Sequence, residues 1–449
     1  MTRTRHLVPL RDTFRYWARL GFINFGGPAG QIAIMHDELV DRKRWISNER
    51  FLHALNYCML LPGPEAQQLA IYVGYLLNGP VGGLVAGIFF VLPAFFLILV
   101  LSWVYAVHGD IGWVAAIFYG LQAAVIAIVA SALIRVGSKT LKNPKMVAVA
   151  AAAFAAIFFF GVPFPLIIIA AAVVGVVGQR LHPGWFPAPV PHGDPGSDDD
   201  VVLGDEVADE PRPTPGRTAR VLAVGLAVWW VPLLTVIAVR GPQDTLSKAA
   251  LFFSQAALVT FGGAYAVLAY IDQAAVHTFG WLEPGQMVTG LGLAESTPGP
   301  LIMVTEFVGF LGAYRFPGGL DPVVAGTLGA VVAVWATFAP CFLWIFLGAP
   351  FIERLRGNAA LNAALSGITA AVVGVILNLA VTFALAALFG SVSTARVGNA
   401  RFPVPDLASV DPFAVLLAAA GFFALWRFRV NVLWVVVTSA VAGLLYRAL

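Results

Sequence analysis

Apolar residues dominate nine stretches of this chain, roughly 81–107, 111–134, 146–160, 164–179, 221–239, 323–350, 360–389, 412–426 and 431–446. Each reads as one helical crossing of a bilayer core about 30 Å thick. Four other apolar segments are interrupted. Phe25-Gly26-Gly27-Pro28 and Phe261-Gly262-Gly263 break two of them, and Pro62-Gly63-Pro64 and Pro298-Gly299-Pro300 break the others. Proline removes a donor and clashes with the preceding turn, and glycine gives the chain no steric guidance. The run Phe51 to Leu61 before the first PGP makes a helix only about 16 Å long. It ends near mid-membrane with unpaired backbone that lipid cannot satisfy, so the break must line protein or a watery cavity. The pattern predicts an all-α polytopic membrane protein with nine full spans and four re-entrant hairpins. Were the hairpins to cross fully, the count would rise to about thirteen.

The breaks repeat. An offset of 236 places Phe25-Gly26-Gly27 on Phe261-Gly262-Gly263 and Pro62-Gly63-Pro64 on Pro298-Gly299-Pro300. It also superposes Trp45 on Trp281, Leu55 on Leu291, Ala33 on Ala269 and Val40 on Val276. A later offset of 247 places Pro93 on Pro340 and Gly120 on Gly367. The chain reads as a duplicated unit with a small insertion in the second copy. We divide it into a first repeat at 1–180, an acidic Pro-rich linker at 181–220, and 221–449, an extra transmembrane helix plus the second repeat.

Charge sets an expected topology. Charged residues are only 11% of the chain and mean hydropathy is +0.84, which excludes an ordinary soluble domain. The basic N-terminus, with Arg11, Arg15 and Arg19 every four residues, the 36–50 loop, the 135–145 loop and the linker read as cytoplasmic. The segment Asp272 to Gln286 has no Lys or Arg and reads as outside. The extra stretch at 221–239 then turns the second copy over, giving two repeats of inverted topology. The linker carries eight acids and eight prolines between 181 and 219, a disordered composition. The remaining body is cationic, which suits an anionic substrate. The N-terminus has no apolar core or cleavage site of a signal peptide. Cys58 and Cys341 read as small buried hydrophobes, not a disulfide or metal site.

In an inverted repeat, half-helices from both faces meet near the midplane. Each that starts after a break offers free N–H groups and the positive end of its dipole. The expected donors are Glu65 to Gln68 and Leu301 to Thr305, with more from the turns at Gly26-Gly27 and Gly262-Gly263. Such a cage suits a tetrahedral oxyanion. The plainer reading is that PGP only kinks a helix and FGG only allows tight packing; two copies at one offset favour the site. Candidate binding residues are Asn24, Phe25, Gly26, Gly27, Pro28, Pro62, Gly63, Pro64, Glu65, Gln67, Gln68, Thr260, Phe261, Gly262, Gly263, Thr297, Pro298, Gly299 and Pro300. Asn56, Ser296 and Thr305 lie beside them. Intramembrane carboxylates are expensive and usually functional, so Glu65, Glu295 and Glu306 are candidates for proton coupling. A bound dianion would favour protonated Glu65. No Walker lysine, phosphorylated aspartate, metal-ligand spacing or nucleophile elbow is read, which argues against a primary pump and an intramembrane hydrolase. No catalytic residue, metal, cofactor or nucleic-acid partner is expected.

The stretches GFINFGGPAGQIA (Gly21 to Ala33) and LLPGPEAQQLA (Leu60 to Ala70), with the echoes TFGGAYA and STPGP, resemble the chromate ion transporter family. The resemblance covers both halves. The second copy departs from the first where Ala264 replaces Pro28 and Leu301 replaces Glu65, so the halves cannot act identically. The family resemblance implies a secondary transporter of the bacterial cytoplasmic membrane that exports chromate and confers resistance. Each charge crossing the membrane is worth about 2.3 kcal/mol per 100 mV, so a dianion leaving a negative interior needs no ATP. A carrier of sulfate or another oxyanion is the alternative, and a membrane-embedded enzyme or channel acting on phosphorylated lipid is the alternative of another class. Membrane lipid is an expected partner. A homodimer stays open, as the sequence does not fix the oligomeric state.

Overall fold

The computed structural model describes residues 8–182, 184–186, 202–203, 214–261, 264–349 and 359–448. The first repeat starts with α1 (Leu10–Ile23), α2 (Gly27–His36) and α3 (Asn48–Cys58). Next comes α4 (Glu65–His108), which leaves helical geometry at Asn78 and Gly79, so a short arm, 65–77, turns into a long span, 80–108. Then follow α5 (Gly112–Thr140), α6 (Pro144–Phe158), α7 (Phe164–Leu181) and the unmatched α8 (Pro215–Arg240). The second repeat has α9 (Thr245–Val259), α10 (Ala264–Gln273), α11 (Gln286–Ser296), α12 (Val304–Arg315), α13 (Pro322–Gly348), α14 (Ala359–Leu388), α15 (Pro412–Arg427) and α16 (Val432–Ala448). Six helices, α4, α5, α7, α8, α13 and α14, are long and apolar enough to cross a membrane. With the shorter apolar α6, α15 and α16, they stand where the nine crossings were expected. The chain is an integral membrane protein.

Local geometry repeats as well as sequence. A π-helical turn ends both α2 and α10; in the first the Lys43 N–H donates to the Glu38 carbonyl, and in the second the Phe279 N–H donates to Ala274, both at 2.9 Å. α1 packs on α4 as α9 packs on α13. The last helices are exchanged: α15 and α16 pack on α5, and α6 and α7 pack on α14. Glycine permits these approaches. A Cβ at Gly120 would lie 2.0 Å from the Ser439 carbonyl oxygen, and one at Gly367 would lie 2.3 Å from that of Ala171.

The extra helix α8 is pinned at both ends. The Arg217 guanidinium donates to the Tyr75 hydroxyl at 2.6 Å, and that of Arg240 donates to the Gly318 carbonyl at 2.7 Å. In between, the Trp335 indole donates to the Val228 carbonyl at 3.1 Å.

Three details differ from the sequence reading. α8 begins at Pro215, inside the span read as linker, because Thr214 caps it by accepting from the Arg217 N–H at 3.3 Å. Val202 and Leu203, also in that span, pair with Arg44 and Trp45, and Leu203 is buried; two apolar residues suffice to dock an otherwise acidic stretch. Most of the linker lies outside the described residues. Between α14 and α15, a hairpin of β1 (Val392–Val397) and β2 (Ala400–Pro405) replaces a plain connection. Val392, Thr394, Val397, Phe402 and Val404 flanking a Gly turn favour strands, and the Arg401 N–H donates to the Phe159 carbonyl at 2.7 Å.

Candidate functional site

Each break ends one helix and starts another. Gly26 and Gly27 take φ of +93° and +64°, so α1 stops and α2 starts within four residues. Gly63 (φ +123°) sits between α3 and α4, and Gly299 (φ +142°) between α11 and the 3-10 turn Leu301–Met303 that leads into α12. These values are open to glycine and costly to other residues. Gly262 and Gly263 lie outside the described residues.

The breaks are tied across the repeats. The Gly63 N–H donates to the Thr260 carbonyl at 2.8 Å, and the Gly299 N–H donates to the Asn24 carbonyl at 2.9 Å. Both donors and both acceptors are related by the 236 offset. Beside each glycine stands the residue after a matched proline: a Cβ at Gly63 would lie 3.1 Å from the Cys341 sulfur, and one at Gly299 would lie 2.3 Å from Ala94 Cβ.

These ties bring the starts of four helical segments around one cleft. Pro28 opens α2, Glu65 and Ala66 open α4, Ala264 opens α10, and Pro300, Leu301 and Ile302 lead to α12; Gln31 completes the lining. Each helix N-terminus carries about half a positive charge. Four together approach two, the charge of a dianion. The space open to water centres is about 10 Å³, enough for about one water. That volume leaves no room for an oxyanion.

The expected donors are fewer than the sequence suggested. The N–H groups of Gly63 and Gly299 are used between repeats, that of Gln68 goes to the Pro64 carbonyl, and that of Met303 goes to Pro300. The first-turn residues that line the cleft with their N–H groups outside the regular helix ladder are Glu65, Ala66, Leu301 and Ile302.

Several candidates point elsewhere. Gln67 donates to the Gly87 carbonyl at 3.4 Å and Gln68 to that of Pro62 at 2.7 Å. The hydroxyls of Thr260, Ser296 and Thr297 bond carbonyls of their own helices, Ala256, Leu293 and Ala294. Phe25, Phe261 and Pro62 are half-buried, and Asn56 is exposed. Asn24 is fully buried, and neither atom of its amide has a partner among the described residues; the hydroxyl of buried Thr305 has none there either.

Gln31 escaped the sequence reading. Its amide donates to the Gly299 carbonyl and, at 3.4 Å, to that of Asn24, so one side chain braces both breaks. Its matched residue is Val267; a search guided by the repeat passes over it. Its place one turn after Pro28, in an otherwise apolar run, was the available signal.

The three carboxylates separate. Glu65 lines the cleft. Glu295 accepts from the Tyr265 hydroxyl at 2.6 Å. Glu306 is fully buried, with neither oxygen partnered among the described residues. Among the described residues, no cluster of His, Cys, Asp and Glu could hold a metal.

A profile of the chromate transporter family matches residues 11–176 and 247–444, one region in each repeat. The chain belongs to the chromate transporter family. It is 32% identical over 374 residues to the chromate transport protein of Cupriavidus metallidurans, covering 83% of this chain and 82% of that one. To the chromate transport protein of Pseudomonas aeruginosa it is 31% identical over 443 residues, covering 96% and 91%. To the probable chromate transport protein of Synechococcus elongatus it is 29% identical over 373 residues, covering 82% of each. No solved structure matches this family member.

Proposed function

We propose that the protein is a secondary transporter that exports chromate across the bacterial cytoplasmic membrane and so confers resistance, driven by the membrane potential or a proton gradient. The observation that carries this is the cleft where four helical segments begin and no metal cluster stands among the described residues. Such a site takes a tetrahedral dianion through backbone donors and dipoles. The relatives named as chromate transport proteins cover most of both chains.

The transport cycle rests on an inverted repeat with a cytoplasmic N-terminus. What supports inversion is α8. Its Arg217 end bonds the short arm of α4 at Tyr75, and its Arg240 end bonds Gly318, in the corresponding turn of the second repeat. Those ends stand about 35 Å apart. A one-water cleft between two interlocked repeats is then an occluded state, opened alternately by rocking one repeat against the other. Glu65, at the cleft, is the leading proton carrier, with Glu295 and Glu306 behind it.

Everted vesicles with an imposed interior-positive potential test this reading. They should accumulate chromate, with sulfate competing weakly. Equal or better movement of sulfate would favour the sulfate carrier. A groove of about 670 Å³ between α4, α8 and α13 reaches Gln67 from the side and suits a lipid acyl chain. Lipid-dependent turnover without anion flux would return the phospholipid reading.

A further inference from the structure

A second cleft, of about 580 Å³, runs along α1 from Pro9 to Ile23, the residue before Asn24. It therefore runs from the surface at the N-terminal end of α1 to the residue beside Asn24, whose carbonyl holds the Gly299 break. Arg15, Arg19 and Lys43 line it, together with Asp12 and Glu38. Glu38 is held by Arg42 at 2.8 Å, whereas Arg15, Arg19 and Lys43 make no ion pair among the described residues. Lys43 lies 5.0 Å from the Trp45 ring centroid and 5.9 Å from that of Tyr16, an apolar backing that strengthens its field.

The second repeat keeps the scaffold and loses the charge. Tyr16 and Trp45 correspond to Phe252 and Trp281, which pack with centroids 5.9 Å apart, much as Tyr16 and Trp45 do at 5.6 Å. Arg15, Arg19 and Lys43 correspond to Leu251, Gln255 and Phe279. Phe279 stacks flat on Trp281, with centroids at 4.2 Å. One cation, Lys248, stands where the first repeat has Asp12. A smaller cleft of about 220 Å³ near Tyr119 holds a single cation, Arg447.

We infer that the α1 cleft is the recruiting mouth for the oxyanion, with Arg15, Arg19 and Lys43 drawing anions toward Asn24, and that its apolar counterpart in the second repeat recruits none. This rests on the transport reading and adds the entry route. A cationic cleft with low-dielectric walls raises anion encounter by about 10-fold or more at low salt, and the gain fades as salt rises.

The test is chromate uptake into everted vesicles at several ionic strengths. The variant Arg15→Gln/Arg19→Gln/Lys43→Gln should raise KM about tenfold at low salt, keep the maximal rate within about twofold, and flatten the salt dependence. Arg15→Lys/Arg19→Lys/Lys43→Arg should restore both, and Arg11→Gln, outside the cleft, should change neither. Detergent melting of each variant separates misfolding from lost recruitment. An unchanged KM and salt slope in a folded, active triple variant would overturn the entry route while leaving the transport reading intact. Wild-type vesicles that move no oxyanion would overturn both.

Discussion

Gly63 of the first repeat donates its backbone N–H to the carbonyl of Thr260 in the second, at 2.8 Å. Gly299 and Asn24 make the matching bond in the opposite sense. Each repeat therefore holds the other's break in place.

Alanine at these glycines should be felt unequally. Both have φ values costing about 1–3 kcal/mol for another residue. The new methyl at position 299 meets Ala94 Cβ, which cannot swing away, whereas at 63 it meets the flexible end of Gln68. Gly299→Ala should abolish chromate flux and Gly63→Ala should reduce it about tenfold or more, both with normal membrane insertion. Wild-type flux in both would leave the breaks with a packing role only.

Inverted topology predicts opposite accessibility at corresponding helix starts, here one residue apart under the 236 offset. Glu49 and Pro284 are both exposed, at the starts of α3 and α11. Single cysteines there, with Cys58 and Cys341 replaced by Ala, should react with an impermeant thiol reagent from opposite sides. Labelling of both from one side would exclude the inversion.

Glu65 and the substrate share one helix N-terminus, and two anions there repel. Protonation removes the conflict, so flux should rise as pH falls. Glu65→Gln keeps the shape and a donor but cannot ionise. Transport should persist in it with a flat pH profile, while Glu65→Asp should keep the dependence. A wild-type profile in Glu65→Gln would pass the coupling role to Glu295 or Glu306.

Glu306 should trade stability for function. A buried polar group without partners costs about 1–3 kcal/mol by mutational measure. Glu306→Leu should raise the melting midpoint in detergent and lower chromate flux at least about tenfold. A variant both more stable and fully active would make Glu306 irrelevant to transport.

Bracing by Gln31 predicts a loss that crosses the repeat boundary. Gln31→Ala removes the donor to the Gly299 and Asn24 carbonyls and should cost about 1–3 kcal/mol for buried acceptors left unpaired. Cysteine cross-linking between α2 and the 297–300 turn, measured with melting, should weaken. Unchanged cross-linking would remove the brace.

Sequence by itself determined the crossings, the repeat and the breaks. Apolar length against bilayer thickness leaves little freedom, and Pro-Gly-Pro cannot continue a helix whatever surrounds it. Even the departure at Glu65 and Leu301 was legible, because one offset aligns the copies. Only the tertiary structure decided which groups at the breaks are free. The hydroxyls of Thr260, Ser296 and Thr297 can bond their own helices, and only coordinates tell that they do. The N–H groups of Gly63 and Gly299 go to the opposite repeat, a pairing over more than 190 residues that no local pattern encodes. Gln31, the linker's hold at Leu203 and the exchange of the last helices belong to the same class. Each depends on which surfaces meet once both repeats have folded, and side-chain chemistry read along the chain carries no record of that.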